Sequence, residues 1–301
     1  MNYIILDLEW DSVYHKKHSR FVNQILQIGA VKLNEHFELL DTFQVTIRSA
    51  LSNRVTGRFL KLTGITKEEM RNGVSAEEAV AQYNRWAGEN TVTLTWSTSD
   101  LFTIYENEKL VFEDAKFHLE KYVDLQQYIQ NEMRLLGIEL NGQIALSSAA
   151  EQLNINTKGL PLHTARADCL LAMTMLQQHY CAERFQSLVR DTRDEAFQRR
   201  LFFKPYYLNR LNDPLIDKSE LIFHCEVCGE KLKRKREWKY RNRWFISEFT
   251  CKKCQEDFQG RICFRKTFDD VIVKKKLIVK QEEPAEKEKD GNELQSVSAS
   301  V

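Results

Sequence analysis

Tyr3-Ile4-Ile5-Leu6-Asp7-Leu8-Glu9 is an apolar, β-prone run that ends in two acids. Ile25-Leu26-Gln27-Ile28-Gly29-Ala30-Val31-Lys32-Leu33 and residues 39–47, Leu-Leu-Asp-Thr-Phe-Gln-Val-Thr-Ile, read as a second and third strand. Only a short polar turn separates the last two, which predicts a hairpin or meander. Asp7 and Glu9 lie two apart on the first strand, so their side chains point to one face. Two carboxylates at the end of an apolar strand are costly unless a cation or hydrogen-bond partners compensate them.

Helical signals follow the strands. Thr66-Lys67-Glu68-Glu69 and Ser75-Ala76-Glu77-Glu78 each open with a capping residue followed by acids. Thr91-Val92-Thr93-Leu94-Thr95-Trp96 alternates as a strand does, and Asp100 follows at the start of a helix reaching about Leu110. A short strand near Tyr122-Val123, then helices over 124–136, 146–153 and 165–180, complete the pattern. Strands first, then alternating strands and helices, predict an α/β fold: a mixed β-sheet flanked by helices.

The chain has 301 residues, 43% apolar, with a formal net charge of +1. That balance hides an asymmetry. Residues 1–180 carry 17 Lys and Arg against 22 Asp and Glu, whereas residues 181–276 carry 24 against 15. An acidic half beside a basic half suits a metal site paired with a polyanion-binding surface. The first apolar run is too short, and too soon interrupted by acids, for a signal peptide or membrane span. Seven cysteines in such a chain point to thiols or metal ligands and to a reducing cytoplasm.

Five residues then describe one constellation: Asp7, Glu9, Asp100, His163 and Asp168. Hard oxygen ligands hold Mg²⁺ or Mn²⁺, and an imidazole takes a proton from water. Asp100 is also well suited simply to cap its helix. Pro161 holds Leu160 extended, Thr164 is an N-cap candidate, and Asp168 falls in the first turns, where the helix dipole favours a carboxylate.

Leu6-Asp7-Leu8-Glu9, residues 25–31, Leu62-Thr63-Gly64-Ile65-Thr66, Asp100 and Leu162-His163-Thr164-Ala165-Arg166-Ala167-Asp168 resemble the successive motifs of DEDDh 3′–5′ exonucleases. Within that family the look is closest to the branch that includes bacterial sporulation-inhibitor exonucleases. The resemblance covers residues 1–182 and implies a ribonuclease H-like fold. It further implies Asp7, Glu9, Asp100 and Asp168 as ligands of two Mg²⁺ or Mn²⁺ ions, and His163 as general base. Trp96-Ser97-Thr98-Ser99-Asp100 departs from the pattern in having no glycine after the tryptophan.

Residues 183–220 read as a basic helical connector and 221–280 as a small cysteine module. There Cys225-x₂-Cys228 and Cys251-x₂-Cys254 supply two thiolate pairs, a closed tetrahedral site for one structural Zn²⁺ in a zinc ribbon. So small a module needs such a staple to fold. Between the pairs, Lys233, Arg234, Lys235 and Arg236 can neutralise phosphates. Trp238, Tyr240 and Trp244 alternate so that bases could stack on one strand face, or they form the ribbon's core. Trp10 can stack near a terminal base or pack inward. Residues 281–301 read as a disordered acidic tail.

The function expected is a metal-dependent 3′–5′ exonuclease of single-stranded nucleic acid, RNA or DNA, releasing 5′-mononucleotides. The alternatives are a nucleic-acid-binding regulator with a vestigial site, or a proofreading subunit whose zinc ribbon docks a protein partner such as a polymerase.

Overall fold

The computed structural model describes residues 1–52, 55–112, 115–156 and 164–279, in two compact units, 1–202 and from 203 onward. In the first unit the strands are β1 (Asn2–His15), β2 (Arg20–Leu33) and β3 (Leu39–Thr46). Helices α1 (Gly57–Thr63), α2 (Lys67–Asn72) and α3 (Ala76–Ala87) come next. Then follow β4 (Thr91–Thr95), α4 (Ser99–Leu110), β5 (Lys121–Asp124), α5 (Leu125–Leu135), α6 (Leu146–Gln152), α7 (Ala165–His179), α8 (Ala182–Leu188), β6 (Arg190–Asp191) and α9 (Glu195–Phe202).

The sheet order is β3-β2-β1-β4-β5-β6. β2 and β3 pair antiparallel as the sequence predicts, β1 joins β2 antiparallel to complete a meander, and β4 pairs parallel with both β1 and β5. This mixed sheet flanked by helices is the ribonuclease H-like architecture. β1 lies centrally and is apolar on both faces: Tyr3 and Ile5 join the core beneath α5, α6 and α7, while Ile4, Leu6 and Leu8 join the core against α3 and α4. β1 also runs beyond Glu9, where the sequence reading ended it. A bulge between Glu9 and Trp10 shifts its register on β2, and the pairing resumes as far as His15 with Arg20.

The expected caps form. Thr66 and Glu69 make a reciprocal capping box on α2, Ser75 accepts from the Glu78 N–H, and Thr164 accepts from the Ala167 N–H at the start of α7. Among the described residues no helix is long and apolar enough to cross a membrane.

The second unit contains β7 (Tyr206–Tyr207), β8 (Lys233–Arg234), β9 (Lys239–Arg241), β10 (Trp244–Thr250), β11 (Asp257–Lys266) and β12 (Val271–Val279). β12, β11, β10 and β8 lie side by side and antiparallel; β9 pairs with β10 and β7 with β11. The stretch read as one connector is divided. α8 and α9 belong to the first unit, and residues 203–220 belong to the ribbon, since Tyr206 and Tyr207 pair with Lys266 and Arg265. The proposed tail, 281–301, lies outside the described residues.

Candidate functional site

Asp7 and Glu9 project from β1 toward the side of the sheet covered by α7. Asp168 comes from the first turn of α7. One carboxylate oxygen from each of the three lies within 4.8 Å of the others, and each side chain is half-buried. A single close approach brings the helix there. Asp7 pairs across the ladder with Gly29, and a Cβ on Gly29 would sit 2.4 Å from the Ala165 Cβ and 2.7 Å from the Arg166 nitrogen. Only a residue without a side chain lets the start of α7 rest on the strand beside Asp7. The Cys169 thiol also reaches the Gly29 carbonyl, at 3.5 Å. Gly29 is thus a positioning residue. Its motif was visible in the sequence, but its purpose depends on a helix some 140 residues away.

Asp100 is not the helix cap it could have been. The N-cap of α4 is Thr98, and Asp100 lies in the first turn, buried, with its Oδ1 accepting the Leu8 N–H at 3.2 Å. The β1–β4 ladder registers only as far as Ile5 with Leu94, so the carboxylate satisfies a strand donor that β4 does not. The same bond ties Asp100 to the strand carrying Asp7 and Glu9. His163 lies outside the described residues, immediately before the N-cap Thr164.

The acids disturb one another. Burial, reinforced by repulsion from Asp100, Glu9 and Asp168, pushes the Asp7 carboxyl well above the usual range. Burial and then Asp168 push Glu9 up to about 7. Burial takes Asp100 to about 8, against the opposing pull of N–H donors. Clustered carboxylates without a counter-charge resist ionisation. A divalent cation would supply that charge, and an all-oxygen donor set fits a hard ion such as Mg²⁺ or Mn²⁺.

The cysteine cluster fits a metal by its geometry. Cys225, Cys228, Cys251 and Cys254 bring their sulfurs within 4.8 Å of one another, with Cys225–Cys254 at 3.9 Å and Cys228–Cys251 at 3.5 Å. A tetrahedron with Zn–S bonds of about 2.3 Å has S···S edges of about 3.8 Å. The two knuckles repeat one construction. Cys225 N–H donates to the Glu230 carbonyl and Gly229 N–H to the Cys225 carbonyl; Cys251 with Glu256, and Gln255 with Cys251, do the same. The residue after each second cysteine, Gly229 at φ +74° and Gln255 at φ +60°, takes the left-handed turn. The Cys254 N–H bonds the Cys251 sulfur at 3.4 Å and helps pull that thiol down to about 7.

The aromatic residues do not form the single strand face the sequence suggested. Asn242 and Arg243, both at positive φ, turn β9 back into β10, so Trp244 stands on a different strand from Tyr240. Trp238 packs against Phe223 and Phe249 in the ribbon core. Tyr240 is exposed and packs on Phe245, and Trp244 is half-buried beneath Lys276. Of the four cations chosen from the sequence, Arg234 pairs with Glu237 at 3.3 Å, Lys235 with Asp257 at 2.6 Å and Arg236 with Glu248 at 3.0 Å. In the first unit, half-buried Trp10 lines a cleft of about 280 Å³ with Asn23, Thr98, Ser99, Phe102, Thr103 and Leu201.

The sequence matches the exonuclease family RNase T over residues 4–176, which span all four acids. Among solved structures, cell-death related nuclease 4 superimposes with a TM-score of 0.51 at 22% identity, covering 59% of this chain and 62% of that one, less than two thirds of its length. A 3′-exonuclease described in the 3′-end specific recognition of histone mRNA stem-loop gives 0.50 at 18% identity, over 59% and 80%. A full-length 3′-exonuclease gives 0.51 at 17%, over 63% and 84%. Likeness at these identities establishes a shared fold. No curated protein sequence matches. With more than half of its length matched, the chain belongs to the exonuclease family.

Proposed function

We propose that the protein is a 3′–5′ exonuclease that removes 5′-mononucleotides from single-stranded RNA or DNA. The observation that carries this reading is the convergence of Asp7, Glu9 and Asp168 within 4.8 Å, with Asp100 bonded to the same strand through Leu8. Asp7, Glu9, Asp100 and Asp168 would hold two divalent ions, Mg²⁺ or Mn²⁺. Bound there, such ions would supply the Lewis acidity that activates water and stabilises charge on a departing 3′ oxygen.

The chain's own residues supply the rest. Asp100, fixed by the Leu8 N–H, and Asp168, fixed by the packing of α7 on Gly29, keep the acids in place before substrate arrives. His163, from the segment leading into the Thr164 cap, accepts the proton of the attacking water. Trp10, which lines its cleft with Ser99 and packs against the core under α3 and α4, is the ring we assign to the terminal base. The four cysteines hold one structural Zn²⁺, and the ribbon's cations and aromatics suit unpaired bases and phosphates. The cysteine content suits a reducing cytoplasm.

Digestion of matched 5′-labelled RNA and DNA oligonucleotides, single- and double-stranded, with Mg²⁺ or Mn²⁺ tests this. The expected products are labelled strands shortened from the 3′ end, with 5′-mononucleotides released, and neither appears with Asp7→Ala. Internal cuts, or undiminished turnover by Asp7→Ala, would overturn the assignment.

A further inference from the structure

The ribbon sheet is one-sided. Phe245, Phe249, Phe258, Ile262 and Phe264 are buried and fill its core face. Side chains alternate along each strand, so their neighbours stand on the outer face. The register makes that face continuous: Trp244 is opposite Arg241, Arg261 opposite Lys276, Cys263 opposite Lys274, and Arg265 opposite Tyr207.

The result is a mosaic of cations and rings. Lys276 stands over the Trp244 ring at 5.9 Å, and the Arg243 guanidinium over Tyr207 at 5.1 Å. Among the described residues none of Arg241, Arg261, Arg265, Lys274 and Lys276 has a carboxylate within 4 Å. The outer-face acids are instead engaged: Asp257 by Lys235 and Glu248 by Arg236. Lys235 and Arg236, from the cationic run between the knuckles, therefore neutralise acids of the sheet and leave the outer face positive. Residues 203–279 as a whole carry 19 Lys and Arg against 11 Asp and Glu.

We infer that the outer face of β9, β10, β11 and β12 is a binding surface for a single-stranded polynucleotide, with Arg241, Arg261, Arg265, Lys274 and Lys276 on its phosphates and Trp244 and Tyr207 beside its bases. The inference rests on the nucleolytic reading above and moves the contact surface away from the run 233–236. Charge complementarity selects a polyanion. The interleaved rings favour a nucleic acid over an acidic polypeptide, since every base has a face to stack.

Fluorescence anisotropy on the full-length chain, with labelled oligouridylate and oligothymidylate and no added Mg²⁺ or Mn²⁺, tests it across a salt series. The face variant is Arg241→Gln/Arg261→Gln/Lys274→Gln/Lys276→Gln. The control, Arg210→Gln/Lys218→Gln/Lys231→Gln/Lys252→Gln, removes equal charge elsewhere on the ribbon. Losing four contacts at about 0.7 each should lower the salt slope of the face variant by about 3 and weaken binding at least about tenfold. The control should stay within about twofold of the unaltered chain, with zinc content unchanged in both.

A variant-free measurement accompanies this: oligonucleotide should shield Lys274 and Lys276 from acylation, read by mass spectrometry, and leave Lys218 and Lys231 reactive. Equal weakening in both variants, or weakening in neither, would overturn the inference. If the unaltered chain still releases mononucleotides in that case, the nuclease reading stands without it. A chain that neither binds nor cuts loses both.

Discussion

The acid cluster and the cysteine cluster are both crowded sets of potential anions, but they stand in opposite relations to their surroundings. Around Asp7, Glu9, Asp100 and Asp168 the fold is made by two apolar cores on either side of β1, and the acids are carried on it. Around Cys225, Cys228, Cys251 and Cys254 the core is small, and Cys225 and Cys251 are themselves part of it. One core is built without its site; the other includes it. The charge balance differs as well: residues 1–202 carry 22 Lys and Arg against 26 Asp and Glu, and 203–279 carry 19 against 11.

The sharpest way to break this comparison is Cys225→Ser. It should remove stoichiometric zinc and expose 203–279 to limited proteolysis, because structural zinc supplies about 10–16 kcal/mol in small modules of this kind. The first unit should stay protease-resistant. A zinc-free ribbon that resists digestion would show that its apolar core suffices.

On the acid side, the counterpart touches chemistry and leaves the fold alone. His163→Ala should lower kcat by about 10²–10⁴-fold, the usual worth of a positioned general base. Metal affinity, followed by titration calorimetry, should hardly change, and higher pH should restore part of the rate. Collapse of metal binding would make His163 a ligand and place the proton acceptor elsewhere.

Gly29→Ala tests how the first unit positions its acids. The methyl would meet Ala165 and the α7 backbone, so we expect a loss of about 1–3 kcal/mol in denaturant unfolding, as for other overpacked sites. Turnover should fall further than stability, because Asp168 moves with the helix. Unchanged turnover would show that the approach of α7 is not what aligns the acids.

The smallest effect concerns pH. Glu9, at about 7, and Asp100, at about 8, titrate above their ordinary values, so the fold favours their protonated forms. Their contribution to stability is full below about pH 4 and is lost as pH rises through 7 and 8. Without added Mg²⁺ or Mn²⁺, the first unit should therefore melt at a lower temperature near pH 8 than near pH 6. Added Mn²⁺ should narrow the difference, since it binds the ionised acids. A melting temperature independent of both would mean the acids are already compensated.

Local signals carried a long way here. Alternation along Tyr3-Ile4-Ile5-Leu6-Asp7-Leu8-Glu9 sets both acids on one face, the caps at Thr66, Ser75 and Thr164 start their helices, and the CxxC spacing forms two matching knuckles. Each depends on atoms a few residues apart, so the sequence alone determined it. What tertiary structure decided involves partners remote in sequence. Asp100 bonds Leu8 instead of capping α4, Gly29 exists for the approach of α7, and the ribbon's cations are divided by the acids they meet across the sheet. A charge or a glycine has the same local preference wherever it stands, and the neighbour that gives it a role is chosen only when the chain has folded.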